Sequence, residues 1–195
     1  MIEDRNYYIK LNSRVEKILR SSEFLGSGHN GIVYMLPNKR VIKIFKNKNV
    51  CETEYNIFMR TKKSKYFPRI YEHGAYYIIR DYASGERLDK YIKKHGINIE
   101  ITRNIVKLIS EFKKLNFKKL DIRCKDLYLK DDFSITVIDP KNNYSKKVIY
   151  PRHLMKGLKH LGVIDEFLSV VSDENPEIYK IWDFRFKQYL EKNIK

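Results

Sequence analysis

The nineteen residues from Asp121 to Asp139 constrain this chain more than any other stretch, because they alternate carboxylates with two short apolar runs. Asp121 and Asp126 lie five apart in a predicted loop: a helical pattern ends before Asp121, and Leu127 to Leu129 is an apolar run suited to a short strand. Asp131 and Asp132 make a turn. Ser134 to Ile138, rich in β-branched residues, reads as a second strand that Asp139-Pro140 ends. Such a hairpin would bring Asp126 and Asp139 together with Asp121 facing them, an arrangement suited to divalent cations and phosphate. Taken singly, a loop aspartate is more often structural, since its side chain bonds nearby backbone N–H groups. Weight comes only from agreement with a second, distant motif.

That motif is Leu25-Gly26-Ser27-Gly28-His29-Asn30-Gly31-Ile32-Val33-Tyr34, a G-x-G-x-x-G-x-V pattern. Gly31 leads into a strand pattern rather than a helix, a Pro37-Asn38-Lys39 turn follows, and Val41 to Phe45 reads as the return strand. The glycines therefore belong to a strand–turn–strand hairpin. No Gly-Lys-Ser/Thr follows, which excludes a P-loop. Lys43 is flanked by apolar residues and, in an alternating strand, faces away from Ile42 and Ile44.

Together these residues resemble the protein-kinase family. Gly26, Gly28, Gly31 and Val33, followed by Lys43 on the next strand, look like the glycine-rich loop and nucleotide lysine of that family. Glu54 resembles the helix glutamate that pairs with this lysine, with Glu52 as the competing assignment. Asp81-Tyr82-Ala83 resembles the interlobe hinge, so the resemblance implies that Asp81 and Ala83 contact adenine through backbone groups. Arg80 then stands where the family has an apolar gatekeeper. Lys119-Leu120-Asp121 replaces H-R-D, Asp126 replaces the metal-binding asparagine, and Asp139-Pro140-Lys141 replaces D-F-G. The resemblance implies that Asp121 orients or deprotonates an acceptor hydroxyl, and that Arg123 takes the place of a lysine neutralising the transferred phosphate. Asp126 and Asp139 would hold Mg²⁺ or Mn²⁺ against the phosphates of ATP.

The resemblance covers roughly residues 20 to 141 and implies an α+β, two-lobed protein-kinase-like fold. Residues 1–82 would form a small β-rich N-lobe, and residues 83–195 a reduced, mostly helical C-lobe, as in the small bacterial kinase-like proteins and the RIO and Bud32 types. The implied activity is that of a serine/threonine kinase, an ATP-binding, magnesium-dependent transferase, with an unknown protein or small-molecule acceptor. The alternatives are a nucleotide-binding pseudokinase acting as an interaction module, suggested by the missing H-R-D histidine and D-F-G glycine, and a basic RNA- or ribosome-associated factor.

The remaining segments are read as packing. Ile101, Ile105, Leu108, Ile109, Phe112 and Leu115 form one helical face that delivers the chain to Asp121. Lys156 to Val171 contains a helical stretch. Asn175 caps another helix with Pro176 at its first position and Ile178, Ile181, Trp182, Phe186 and Tyr189 on one face. At the start, the apolar series Val15, Ile18 and Leu19 leads, as helix or strand, towards the glycine loop. His153 and His160 lack an H-E-x-x-H context, which speaks against zinc.

Composition adds bounds rather than identity. With 43% hydrophobic residues in 195, the chain can build a core. A formal charge of +16 favours an anionic partner, such as nucleotide, RNA or an acidic protein, although the lysines are scattered. Cys51 and Cys124, 73 residues apart, read as free thiols in a reducing compartment. Cys124, inside the carboxylate loop, is expected to make activity sensitive to oxidation. With neither a signal-like start nor a stretch of 18 apolar residues, the cytoplasm is the expected location.

Overall fold

Gly31–Leu36 (β2) and Arg40–Phe45 (β3) pair antiparallel, with Leu36 opposite Arg40 and Gly31 opposite Phe45. Asn38 and Lys39 in the connecting turn have φ of 60° and 54°, the left-handed backbone that a tight hairpin demands of its central residues. The computed structural model describes residues 11–192. Over these the chain is α+β and divides into two compact units. The first holds the chain up to Lys63 with Pro68–Tyr82, and the second holds Ser64–Phe67 with the chain from Ala83 onward.

The first unit is a five-stranded antiparallel sheet of order β1-β2-β3-β5-β4, where β1 is Glu23–Gly28, β4 is Ile70–Gly74 and β5 is Tyr77–Asp81. Helix α1 (Ser13–Arg20) precedes it, capped by the Asn12 side chain, which accepts from the Val15 N–H at 2.8 Å. Val15 packs with Leu36, Ile42, Ile44, Tyr77 and Ile79 on one face of the sheet. Helix α2 (Lys48–Thr61), capped by Asn47, contributes Cys51 to a cluster with Phe45 and Ile78 on the other face. Thus β3 is covered on both sides, and Lys43 is buried along with its apolar neighbours. The apolar series expected near the N-terminus forms α1. The rest of that expectation, residues 1–10, lies outside the described residues.

The second unit combines a small antiparallel sheet with five helices. Glu86–Arg87 (β6), Leu127–Leu129 (β7) and Ile135–Val137 (β8) form the sheet in the order β6-β7-β8. Helix α3 is Leu88–His95 and α4 is Ile99–Lys114. The β7–β8 turn holds Phe133 at φ 58°, and the Ser134 N–H donates to the Asp132 side chain at 2.9 Å. Five residues of the α4 stripe, from Ile101 to Phe112, are buried, whereas Leu115 caps the helix and is half-buried.

Three details differ from the sequence reading. Ser64–Phe67 joins the second unit although it precedes the expected boundary after residue 82. Its Tyr66 carbonyl accepts from the Val137 N–H at 2.8 Å, and the Phe67 ring packs on Phe112 and Phe117. The helical stretch expected within 156–171 is met by two helices, α5 (Arg152–His160) and α6 (Ile164–Glu174), separated by Gly162 at φ 77°. Helix α7 (Pro176–Glu191) starts with Asn175 capping the Ile178 N–H at 3.1 Å and buries Trp182 and Phe186, but Ile181 is exposed. Among the described residues, no helix is long and apolar enough to cross a membrane.

The three motif glycines answer to different constraints. A Cβ on Gly31 would lie 1.9 Å from the Ile44 carbonyl oxygen, while one on Gly26 would meet nothing within 4 Å. Gly31→Ala is therefore expected to lower stability by about 2 kcal/mol or more, and Gly26→Ala to change it by no more than about 0.5 kcal/mol. The urea midpoints of the two variants check this contrast.

Candidate active site

In the first unit, Lys43 and Glu54 form a buried ion pair. Lys43 Nζ lies 2.7 Å and 2.9 Å from the two Glu54 carboxylate oxygens, with side-chain exposures of 9% and 3%. Strand β3 and helix α2 create this meeting: Lys43 shares the α2 side of the strand with Phe45, and Glu54 lies one turn before Ile57 and Phe58 on the buried face of the helix. Glu52, the competing candidate, is exposed. The Lys43 ammonium also sits over the Phe45 ring at 4.6 Å.

Val33 lies directly opposite Lys43 on β2. The Gly28–Gly31 pair closes the β1–β2 hairpin, and the register shifts between Phe24 and Gly26. Whereas Gly31 is required by the close Ile44 carbonyl, Cβ atoms on Gly26 and Gly28 would point into open space. The protein's own packing thus gives no reason for glycine at these two positions. A ligand approaching the backbone would.

The Asp81–Ala83 segment is partly committed. The Asp81 N–H donates to the Arg69 carbonyl at 3.0 Å, the Tyr82 N–H to the Lys39 carbonyl at 2.9 Å, and the Asp81 carbonyl accepts from Arg80 Nη1 at 3.1 Å. The Asp81 carboxylate accepts from the Arg69 N–H at 3.0 Å and the Tyr71 hydroxyl at 2.8 Å. The Asp81 N–H and carboxylate are thus engaged within the protein, while its carbonyl, with two lone pairs, accepts one bond from Arg80. Ala83 is buried.

In the second unit, a 3₁₀ turn at Cys124–Asp126 leads into β7, and the Ile138 N–H donates to the Asp126 carbonyl at 3.0 Å. That bond draws Asp139 towards Asp126. Arg123 joins them: Nε lies 2.6 Å from Asp126 Oδ2, while Nη2 lies 2.8 Å from Asp126 Oδ1 and 3.6 Å from Asp139 Oδ2. Lys141 Nζ approaches Asp139 Oδ2 at 2.8 Å. The Asp126 hydrogen bond raises the Arg123 pKa above its ordinary value. Arg123 was expected to face a transferring phosphate, but its fork is closed on Asp126, because a planar guanidinium matches a carboxylate two bonds at a time.

These two carboxylates suit Mg²⁺ or Mn²⁺. Hard cations take oxygen ligands, and Mg²⁺ in phosphate chemistry commonly uses one or two protein carboxylates, with phosphate oxygens and water completing its shell. Among the described residues, no group of three or more His, Cys, Asp or Glu could form a dedicated cage. The donor set therefore fits a metal that arrives with phosphate, provided that Arg123 and Lys141 give way.

Asp121 occupies a different environment from the one its loop position suggests. It has no exposed surface. Oδ1 accepts from the His153 N–H at 2.8 Å and is 3.4 Å from the Leu154 N–H, so the carboxylate sits at the N-terminus of α5. Oδ2 contacts His153 Nδ1. The join is made by Val148, which forms a parallel bridge with Lys119: Leu120 N–H donates to the Val148 carbonyl at 2.7 Å, and Val148 N–H to the Lys118 carbonyl at 2.9 Å. Five residues beyond Val148 the chain presents His153 to Asp121. Sequence spacing gave no sign of this contact, because the partners lie 32 positions apart with no shared pattern between them.

Lys119 donates to the Lys141 carbonyl at 3.0 Å, and burial lowers its pKa. Cys124 is buried with its thiol pushed up to about 12 by desolvation, as is Cys51. The expected oxidation sensitivity through Cys124 is thus corrected: a thiol held neutral and away from water is a poor nucleophile.

No family model matches the sequence. A Bacillus subtilis (strain 168) protein named "Putative serine/threonine-protein kinase YrzF" is 26% identical over 137 residues, covering 66% of this chain and 64% of that protein. A Caenorhabditis elegans protein named "Probable serine/threonine-protein kinase zyg-1" is 26% identical over 123 residues, 55% of this chain and 17% of that one. The chain thus spans less than two-thirds of the length of these curated relatives. Its likeness is to proteins named as kinases.

Two outcomes follow from the burial. Glu54→Ala leaves the Lys43 ammonium buried without its carboxylate and is expected to cost about 3 kcal/mol in urea unfolding, whereas the double change Lys43→Met with Glu54→Leu costs less, because the charge goes with its partner. Neither cysteine is expected to react with a thiol reagent at pH 8 before unfolding, and Cys124→Ala is expected to leave the response to peroxide unchanged.

Proposed function

We propose that the chain is an ATP-dependent phosphotransferase with a two-lobed protein-kinase-like fold, transferring the γ-phosphate to a serine or threonine hydroxyl. The observation that carries this reading is the buried Lys43–Glu54 pair. A buried ion pair seldom earns its place through stability alone, since apolar residues of similar volume serve as well or better. An ammonium held in position for phosphate oxygens is a reason to keep one. The names of the two relatives point the same way.

In this reading Lys43, steadied by Glu54, binds phosphate oxygens of ATP, and the backbone at Gly26 and Gly28 lies against the phosphates with Val33 beneath the nucleotide. Backbone groups around Ala83 meet adenine. Asp126 and Asp139 hold Mg²⁺ or Mn²⁺, which neutralises charge developing on the phosphates. Arg123, once released from Asp126, reaches the transferring group. Asp121, enclosed by the start of α5, orients the groups that receive the acceptor hydroxyl.

A second reading has its own observation. Arg123 and Lys141 already neutralise the metal-binding carboxylates, as they would in a nucleotide-binding protein that has given up transfer and acts as an interaction module. Transfer from γ-labelled ATP with Mg²⁺ or Mn²⁺, to the protein itself and to a generic basic protein, separates the two. The phosphotransferase reading expects label that falls by about 10²-fold or more in Lys43→Met and Asp139→Ala. Binding of a fluorescent ATP analogue without transfer would leave the module, and neither binding nor transfer would end both readings.

A further inference from the structure

Asp121 is the residue that a kinase-like site would use towards its acceptor, yet its carboxylate has no exposed surface and is bonded by groups of α5. A carboxylate so enclosed cannot itself meet an incoming hydroxyl. The group that can is the imidazole on its far side. The His153 side chain is 42% exposed, its Nδ1 is against Asp121 Oδ2, and its Nε2 has no hydrogen-bond partner among the described residues. We propose that His153 is the catalytic base of this site and that Asp121 is its positioning residue, the pair working as an Asp–His dyad. The proposal rests on the phosphotransferase reading above.

The chemistry follows from the tautomer that Asp121 selects. An ionised carboxylate only accepts, so the Nδ1 facing it carries the proton and donates, leaving the Nε2 lone pair basic and directed outward. The acceptor hydroxyl oxygen forms its bond to the γ-phosphorus of ATP as the bond from that phosphorus to the β–γ bridging oxygen breaks. ADP leaves with the electron pair. The hydroxyl proton passes to Nε2, and the resulting imidazolium, stabilised by Asp121, later returns it to water. The backbone bond from the His153 N–H to Asp121 Oδ1 at 2.8 Å fixes the second carboxylate oxygen and so sets the ring's approach.

The charged and titratable groups around the dyad are few and belong to named segments. Lys119 and Asp126 on the carboxylate loop interact electrostatically with one another, and Lys119 also with Asp121. On the chain leading into α5, Tyr150 interacts with both Asp121 and Arg152, and its hydroxyl donates to the Arg185 carbonyl at 3.2 Å. Arg152 lies over the Tyr189 ring of α7 at 5.2 Å. Lys119 also feels Arg123 and Lys146, Tyr150 also Arg185 and Tyr189, and the neutral Cys124 thiol also feels Asp121. Among the described residues, the polar contact on the imidazole is with Asp121.

The test combines activity with a readout that needs none. In the full chain, His153→Gln is expected to lower transfer from γ-labelled ATP by about 10²-fold or more. Wild-type transfer should fall on the acid side, and the residual activity of His153→Gln should lack that limb. Added imidazole should restore part of the activity of His153→Ala. Nitrogen-15 NMR of the wild-type protein should show His153 protonated at Nδ1, and Asp121→Asn should move that proton to Nε2. Circular dichroism establishes that each variant is folded.

Full activity of His153→Gln with an unchanged pH profile would overturn the dyad and leave the phosphotransferase standing. A wild-type protein that transfers nothing would overturn the phosphotransferase reading and, with it, the catalytic role. An Nε2-protonated His153 in the wild type would overturn the dyad whatever the activity.

Discussion

The carboxylate of Asp121 is the constraint on which the second unit depends. Removed from water, it needs donors, and it finds them on a segment 32 residues later: the His153 N–H, the start of α5 and the His153 ring. A buried carboxylate without such partners would carry a heavy desolvation penalty. The loop from Asp121 to Asp126 and the helix from Arg152 to His160 are consequently held together, and helix and loop pack so closely that a Cβ on Gly157 would come within 2.9 Å of Cys124 Sγ. The Lys119–Val148 bridge does the same work in the backbone.

The first unit solves a similar problem with a different pairing. Lys43 is forced into the interior because β3 is covered on both faces, and Glu54 meets it from the one helix that lies on its side of the sheet. Both units therefore set a charged group in a low-dielectric position and hold it with specific polar partners. Such arrangements cost stability compared with an apolar core, and they concentrate where charge has a task. Arg123 is the half-buried counterpart: it gathers Asp126 and Asp139 around one guanidinium, which offsets the repulsion between two like charges.

Much of this was legible in the sequence where the relevant signal is local. Apolar spacing marks α4, the Asn175-Pro176 start marks α7, β-branched runs beside turn residues mark β2, β3 and β8, and an apolar run marks β7. Failures fall where contact is made at long range. Ser64–Phe67 lies among first-unit residues in sequence, but packing on Phe112 and Phe117 draws it to the second. Gly162 breaks a helical pattern that periodicity alone would continue, and Ile181 sits at a helical position whose side of α7 has nothing to cover it. The three motif glycines look alike in the sequence, yet only Gly31 is required by a neighbouring carbonyl.

The sequence by itself determined the period of each element, the hairpins on which the glycines and carboxylates sit, and the residue types able to bind phosphate and metal, because these depend on neighbours a few positions away. The tertiary structure alone decided that Glu54 rather than Glu52 meets Lys43, that Arg123 closes on Asp126, that the Cys124 thiol is shielded, and that Asp121 turns inward to His153. Each of those outcomes depends on which surfaces are withdrawn from water when distant segments pack, and a charge responds to that desolvation and to its nearest partner rather than to its place in a motif.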